Sequence, residues 1–197
     1  MTSNTEWQLA GNSAELYEQF LVPVIFVPYT QYLLSQSDLE TGNNVLDVAC
    51  GTGIVARMVK ARVGATGRVA GVDLNAGMLA VAKLVTPSGL IEWIAADVGQ
   101  IPLEDELFDV AYCQQGLQFF PDKVGSIREI TRLLKPNGTY TAIVAKSLDQ
   151  NPLMSSQVAA LTKHIGKDAA AGIRVVCELS NGEEVAGLFV QAGLRDV

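Results

Sequence analysis

From Val45 onward, short apolar runs alternate with longer stretches whose apolar residues recur every three or four positions. Short runs bounded by turn residues predict strands, and the 3.6-residue period predicts amphipathic helices. Strands are expected at Val45–Ala49, Arg68–Asp73, Ile91–Ala96, Phe108–Cys113 and Thr139–Ala145. Helices are expected at Ile54–Val63, from an Asn75 cap to about Val85, and at Lys123–Leu134. Gly64-Ala65-Thr66-Gly67, Pro87-Ser88-Gly89 and Lys135-Pro136-Asn137-Gly138 supply the breaks. Strands alternating with helices imply parallel pairing, with helices on both faces of a doubly wound α/β sheet.

The flanks are less regular. Residues 1–11 read as a loose arm with Trp7 and Leu9 as anchors. Asn12-Ser13-Ala14-Glu15 has the form of a capping box, followed by Leu16, Tyr17 and Phe20 on one apolar face. Pro23 and Pro28 are expected to break that segment, with a second helix from Tyr29 to about Gln36. Residues 1–40 therefore read as a helical lid before a domain at 41–197. After Lys146, helices are expected at Pro152 to about Ile165 and at Gly182–Ala192 behind Asn181, whereas Gly166–Cys177 gives no clear signal. Leu194-Arg195-Asp196-Val197 looks like the opening of a sixth strand.

Composition narrows the function classes. Hydrophobic residues make up 49% of 197, enough for one packed domain. The net charge of −7 argues against a phosphate-backbone footprint, so nucleic acid is not an expected partner. The longest dense apolar run, Phe20 to Val27, is too short to span a bilayer and is interrupted by Pro23. The start shows no signal-peptide pattern, and Cys50, Cys113 and Cys177 have no CxxC spacing. A cytoplasmic protein with reduced thiols and no metal site is the expectation.

The chemistry concentrates at strand ends, where doubly wound sheets bind ligands. The first strand runs into Gly51-Thr52-Gly53, the second ends in Asp73, the third in Asp97, and the fourth runs into Gln114-Gln115-Gly116. Glycines let backbone approach a ligand closely. Asp73 follows Gly53 by twenty residues, the spacing at which a carboxylate accepts both ribose hydroxyls in dinucleotide folds. Asp97 is placed to accept from an adenine amine. Asp47 is a carboxylate within an apolar strand and needs a partner. A cationic part of the ligand would supply one. NAD would bring a pyrophosphate to this turn, whereas S-adenosylmethionine (SAM) brings a sulfonium and an amine, so charge favours SAM. The P-loop pattern is absent.

Val45-Leu46-Asp47-Val48-Ala49-Cys50-Gly51-Thr52-Gly53 resembles motif I of the class I SAM-dependent methyltransferases. Gly71-Val72-Asp73-Leu74-Asn75 with Met78-Leu79, then Ala96-Asp97-Val98, Ile101-Pro102-Leu103 and Phe108-Asp109-Val110, resemble the stretches that follow in that family. Leu133-Leu134-Lys135-Pro136-Asn137-Gly138 is similar to its LKPGG turn, with Asn137 in place of the first glycine. The likeness covers about residues 40–146 and is nearest to the ubiquinone and menaquinone biosynthesis methyltransferases. It implies SAM as cofactor and a small-molecule methyl acceptor. It implies that Asp47, Ala49, Gly51, Gly53 and Gln114 hold the methionine portion. Asp73 would take the ribose, and Leu74, Met78, Asp97 and Val98 the adenine. Tyr17, Phe20, Gln115 and Phe119 would form the lid and acceptor side.

The resemblance implies no general base. His164 is the sole histidine and lies in a variable segment, and Cys50 and Cys113 read as packing residues. The family fold ordinarily continues past a sixth strand, so C-terminal sequence beyond Val197 is expected. Completion of the sheet edge by another chain, as in a homo-oligomer, is the other way to cover strand five. An NAD-dependent oxidoreductase and a non-catalytic SAM-binding module are the alternatives that the sequence leaves open.

Overall fold

The computed structural model describes residues 12–197, so the anchors expected at Trp7 and Leu9 lie outside the described residues. A helical run opens the chain: α1 (Ser13–Leu16), a wide π-type segment at Tyr17–Phe26, and α2 (Val27–Ser35). The prolines do not break it, contrary to expectation. Pro23 sits inside the wide segment, where looser turns relieve the clash of its ring with the preceding carbonyl. Pro28 occupies the first turn of α2, where a missing N–H is tolerated. The capping box also fails to form, since the Asn12 side chain makes no capping hydrogen bond.

The core then alternates as expected: β1 (Val45–Val48), α3 (Ile54–Val63), β2 (Val69–Asp73), α4 (Ala76–Leu84), β3 (Glu92–Ala95), β4 (Phe108–Gln114), α5 (Lys123–Leu133) and β5 (Leu134–Ile143). Neighbouring strands all pair in parallel, in the order β3-β2-β1-β4-β5. β1 is central and buried along its whole length, the usual environment of a near-continuous apolar strand. Asn75 caps α4 by accepting from the Gly77 and Met78 N–H groups at 2.9 and 3.1 Å.

One face of the sheet packs α2 and α3 through Leu33, Leu34, Val55 and Val59 against Val45. The other packs α5 and α8 (Gly182–Ala192) through Ile127, Ile130, Leu133 and Phe189 against Leu46 and Val48. Period-two alternation along β1 therefore sends Leu46 and Val48 to one layer and Val45 to the other, and Asp47 shares the α3 side with Val45.

The Lys135–Gly138 turn belongs to β5 rather than preceding it. Phe108 pairs with Leu134 and Val110 with Thr139, so the intervening residues bulge out of register. Asn137 takes the bend at φ +66°, a conformation Asn tolerates better than most residues. Gly138 passes close to backbone, where an added Cβ would stand 2.9 Å from the Lys135 carbonyl oxygen. Beyond β5 come α6 (Pro152–His164), α7 (Ala171–Val176) within the stretch that gave no clear signal, and α8, which ends at Gly193 with φ +102°. Residues 194–197 form no strand, and Leu194 packs against the core instead.

Candidate functional site

The carboxyl ends of β1, β2, β3 and β4 open onto a cavity of about 530 Å³, within the size range of small-molecule sites. Each strand contributes the residues that follow it: Ala49 and Gly51; Asp73, Leu74 and Asn75; Ala96, Asp97 and Val98; Gln114, Gln115 and Gly116. Met78 from α4 joins them. The N-terminal helical run closes one side with Tyr17, Leu21, Ile25, Phe26 and Tyr29. The turn at Leu117–Phe119, with Phe120 and Pro121, forms another wall, and Met154, Gln157, Gly172 and Val176 of α6 and α7 complete it.

The β1–α3 turn is built from backbone conformations that favour glycine. Ala49, Gly51 and Gly53 have φ values of +53°, +56° and +83°. Asp73 ties this turn to the end of β2. Its Oδ2 accepts from the Gly51 N–H at 2.7 Å and its Oδ1 from the Asn75 N–H at 2.8 Å. Burial raises its pKa above the ordinary carboxylate value, and these backbone donors partly oppose the shift. A carboxylate offers about four lone-pair positions, so both oxygens keep acceptor capacity for a ligand.

Asp47 does not line the cavity. Its Oδ2 accepts from the Ala56 N–H at 2.9 Å, in the first turn of α3. The carboxyl is 1% exposed, and burial pushes it up to about 8. The cationic ligand partner expected for it is replaced by a helix amide, because period-two alternation turns this side chain under α3. Gly53 is also off the cavity. A Cβ there would stand 2.1 Å from the Trp93 ring, and one on Gly71 2.5 Å from the same ring, so these glycines let β3 and the turn pack closely. Phe20 is 57% exposed and faces a shallow surface groove with Leu16 and Leu21. Tyr17, Leu21, Ile25 and Tyr29 recur at intervals of four and take the inward positions that Phe20 was expected to share. The remaining residues singled out from the sequence (Ala49, Gly51, Asp73, Leu74, Met78, Asp97, Val98, Gln114, Gln115, Tyr17 and Phe119) all line the cavity.

Two contacts hold the N-terminal run against the strand ends. Arg57 donates to Glu18 Oε1 at 2.7 Å and to the Thr52 carbonyl at 2.5 Å. Gln114, almost fully buried, accepts from the Thr30 hydroxyl at 3.1 Å and donates to the Phe26 carbonyl at 3.4 Å. Tyr17 stacks against Phe26 with ring centroids 4.8 Å apart. Burial, with Asp73 nearby, raises the Tyr17 phenol well above its ordinary value, so it stays protonated. Asp97 is exposed and accepts from the Gly99 N–H at 2.8 Å. His164, in the last turn of α6, is exposed and off the cavity. Burial pushes the Cys113 thiol up to about 12 and raises that of Cys50, which suits packing residues and not nucleophiles.

The cavity fits a cationic nucleoside better than a dinucleotide. Among the described residues lining it are two carboxylates, Asp73 and Asp97, and neither Lys nor Arg. A pyrophosphate would find no counter-charge. A Cβ added to Gly51 would have only the Tyr17 hydroxyl within 4 Å, at 3.9 Å, so a ligand can rest directly on the turn's backbone. The charge preference inferred from Asp47 thus moves to Asp73 and Asp97.

No sequence pattern marks Gln118 or the α6 and α7 contributors. The fourfold spacing of Leu21, Ile25 and Tyr29 was visible, but the prolines obscured it.

Comparison with known proteins gives one family match: residues 46–142 fit the family described as "Methyltransferase domain". The chain is similar to 2-phytyl-1,4-naphtoquinone methyltransferase of Nostoc punctiforme, 39% identical over 59% of this chain and 52% of that protein. It is also similar to the ubiquinone/menaquinone biosynthesis C-methyltransferase UbiE of Pseudomonas savastanoi, 35% identical over 64% of this chain and 51% of that one. The chain spans about half the length of these curated relatives. In fold it matches a SAM-dependent methyltransferase from Aquifex aeolicus with a TM-score of 0.64, at 20% identity, over 84% of this chain and 79% of the other.

Proposed function

We propose that the protein is a class I SAM-dependent methyltransferase, in keeping with the methyltransferase-domain match of residues 46–142, and that it transfers a methyl group from SAM to a small, largely apolar acceptor. The observation that carries this reading is the Asp73 carboxylate at the mouth of the glycine turn, in a cavity lined by no cationic side chain among the described residues. Asp73 would hold the ribose hydroxyls, and Leu74, Met78 and Val98 would flank the adenine. Asp97 would accept from the adenine amine. The backbone at Ala49 and Gly51, with Gln114, would hold the methionine portion. When bound, SAM supplies a methyl group already activated by its sulfonium.

The chain's own task is then alignment and the exclusion of water. Tyr17, Leu21, Ile25, Phe26 and Tyr29 form a helical lid over the cavity, fastened by Arg57 and Gln114. Among the described residues, no side chain on the acceptor side is placed as a general base, which favours an acceptor that is nucleophilic without one. The relatives' names point to quinone-type acceptors, and the aromatic and amide lining suits such a flat ring with few polar groups. Incubation with SAM and a panel of naphthohydroquinones and phenols tests the proposal through release of S-adenosylhomocysteine. Product release with a methylated ring compound is expected. No release with any member, from protein that binds SAM, would contradict the acceptor class.

A further inference from the structure

Gln118 sits on the turn between β4 and α5, lines the cavity and is 4% exposed. Its Nε2 donates to the Gln115 carbonyl at 3.0 Å and approaches Gln115 Oε1 at 3.4 Å. Its Oε1 is buried without a hydrogen-bond partner. The orientation of this amide is fixed by chemistry, because the Gln115 backbone oxygen can only accept and must therefore face the NH₂ group. The orphan end is thus an acceptor, and an orphan acceptor in a buried wall is a costly arrangement unless something completes it.

We propose that Gln118 Oε1 accepts a hydrogen bond from a hydroxyl or N–H group of the methyl acceptor, and so selects substrates that carry a donor over their alkylated analogues. The inference rests on the methyltransferase reading above. Gln115 serves as the positioning residue, holding the amide through its NH₂ group. Gln118 neither carries charge nor takes a proton, so it sets preference and orientation while the acceptor's own electrons do the chemistry. A buried acceptor built for a hydroxyl discriminates strongly against a ligand that leaves it unpaired.

Equilibrium dialysis of the full chain, saturated with S-adenosylhomocysteine, tests this with 1-naphthol and 1-methoxynaphthalene, which differ in the donor. The wild type should hold 1-naphthol about tenfold more tightly. Gln118→Leu should bring the ratio to within about twofold and hold 1-methoxynaphthalene no more weakly than the wild type. A merely structural role for Gln118 would instead weaken both probes alike. Absence of discrimination by the wild type, whether both probes bind equally or neither binds, would overturn the proposal. A ratio unchanged in Gln118→Leu would do the same. Failure of S-adenosylhomocysteine itself to bind is a separate outcome, which removes the methyltransferase reading and this proposal with it.

Discussion

Replacing Gly53 by alanine should destabilise the fold severely, although Gly53 does not touch the cavity. Two costs combine. The residue has φ +83°, where a Cβ is strained by about 1–2 kcal/mol. The new Cβ would also stand 2.1 Å from the Trp93 ring, and overpacking of this kind costs about 1–3 kcal/mol. The sum, about 2–5 kcal/mol, is a large share of the about 5–15 kcal/mol that holds a typical domain together. Trp93 is the named obstacle, so its truncation should relieve the second cost but not the first. In a double-mutant cycle by urea unfolding, Gly53→Ala and Trp93→Leu should therefore be less damaging together than their sum, by about 1–3 kcal/mol. Gly71→Ala offers a control, since its Cβ meets the same ring at 2.5 Å. It should show the same coupling to Trp93→Leu. Additivity within about 0.5 kcal/mol in both cycles would refute close packing by Trp93 as the reason for these glycines.

Other substitutions separate stability from binding. Gly51→Ala meets no obstacle nearer than 3.9 Å, so it should cost only the backbone strain of about 1–2 kcal/mol while placing a methyl group in the cavity; S-adenosylhomocysteine affinity should fall by more than tenfold, as calorimetry would show. Asp47 holds a proton in the folded state up to about pH 8 that the unfolded chain has lost near pH 4, so its contribution to stability is full at low pH and declines as pH rises towards 8. The melting-temperature difference, Asp47→Asn minus wild type, should therefore grow from pH 5 to pH 8 and then level off; a difference independent of pH would contradict the buried, partly neutral carboxyl. Arg57→Ala removes the ion pair to Glu18 and the bond to the Thr52 carbonyl, and hydrogen exchange along residues 17–26 should accelerate about tenfold, for a loss of about 1–2 kcal/mol.

The sheet was legible because its strands are short apolar runs cut by glycine and by Asp73 and Asp97, a pattern that depends only on neighbours in sequence. The cofactor side of the cavity was legible for the same reason, since it is made of residues that immediately follow strands. That Asp47 and Gly53 stand off the cavity was not legible, because sequence shows that a residue stands near a strand end but not what lies over it; α3 covers Asp47 and Trp93 covers Gly53. Pro23 misled because a wide helical turn accommodates a ring that an α-helix would reject. Gln118, Met154 and Val176 could not be read at all, since their roles depend on how the turn after β4 meets α6 and α7, contacts set by tertiary packing.

Calorimetric titration of the wild-type chain with SAM tests the central claim most directly. Single-site binding is expected, weakened about 100-fold or more in Asp73→Ala, which removes hydrogen bonds to a charged acceptor, with no heat from NADH in either protein. Binding of NADH in place of SAM, or SAM affinity indifferent to Asp73, would contradict the account.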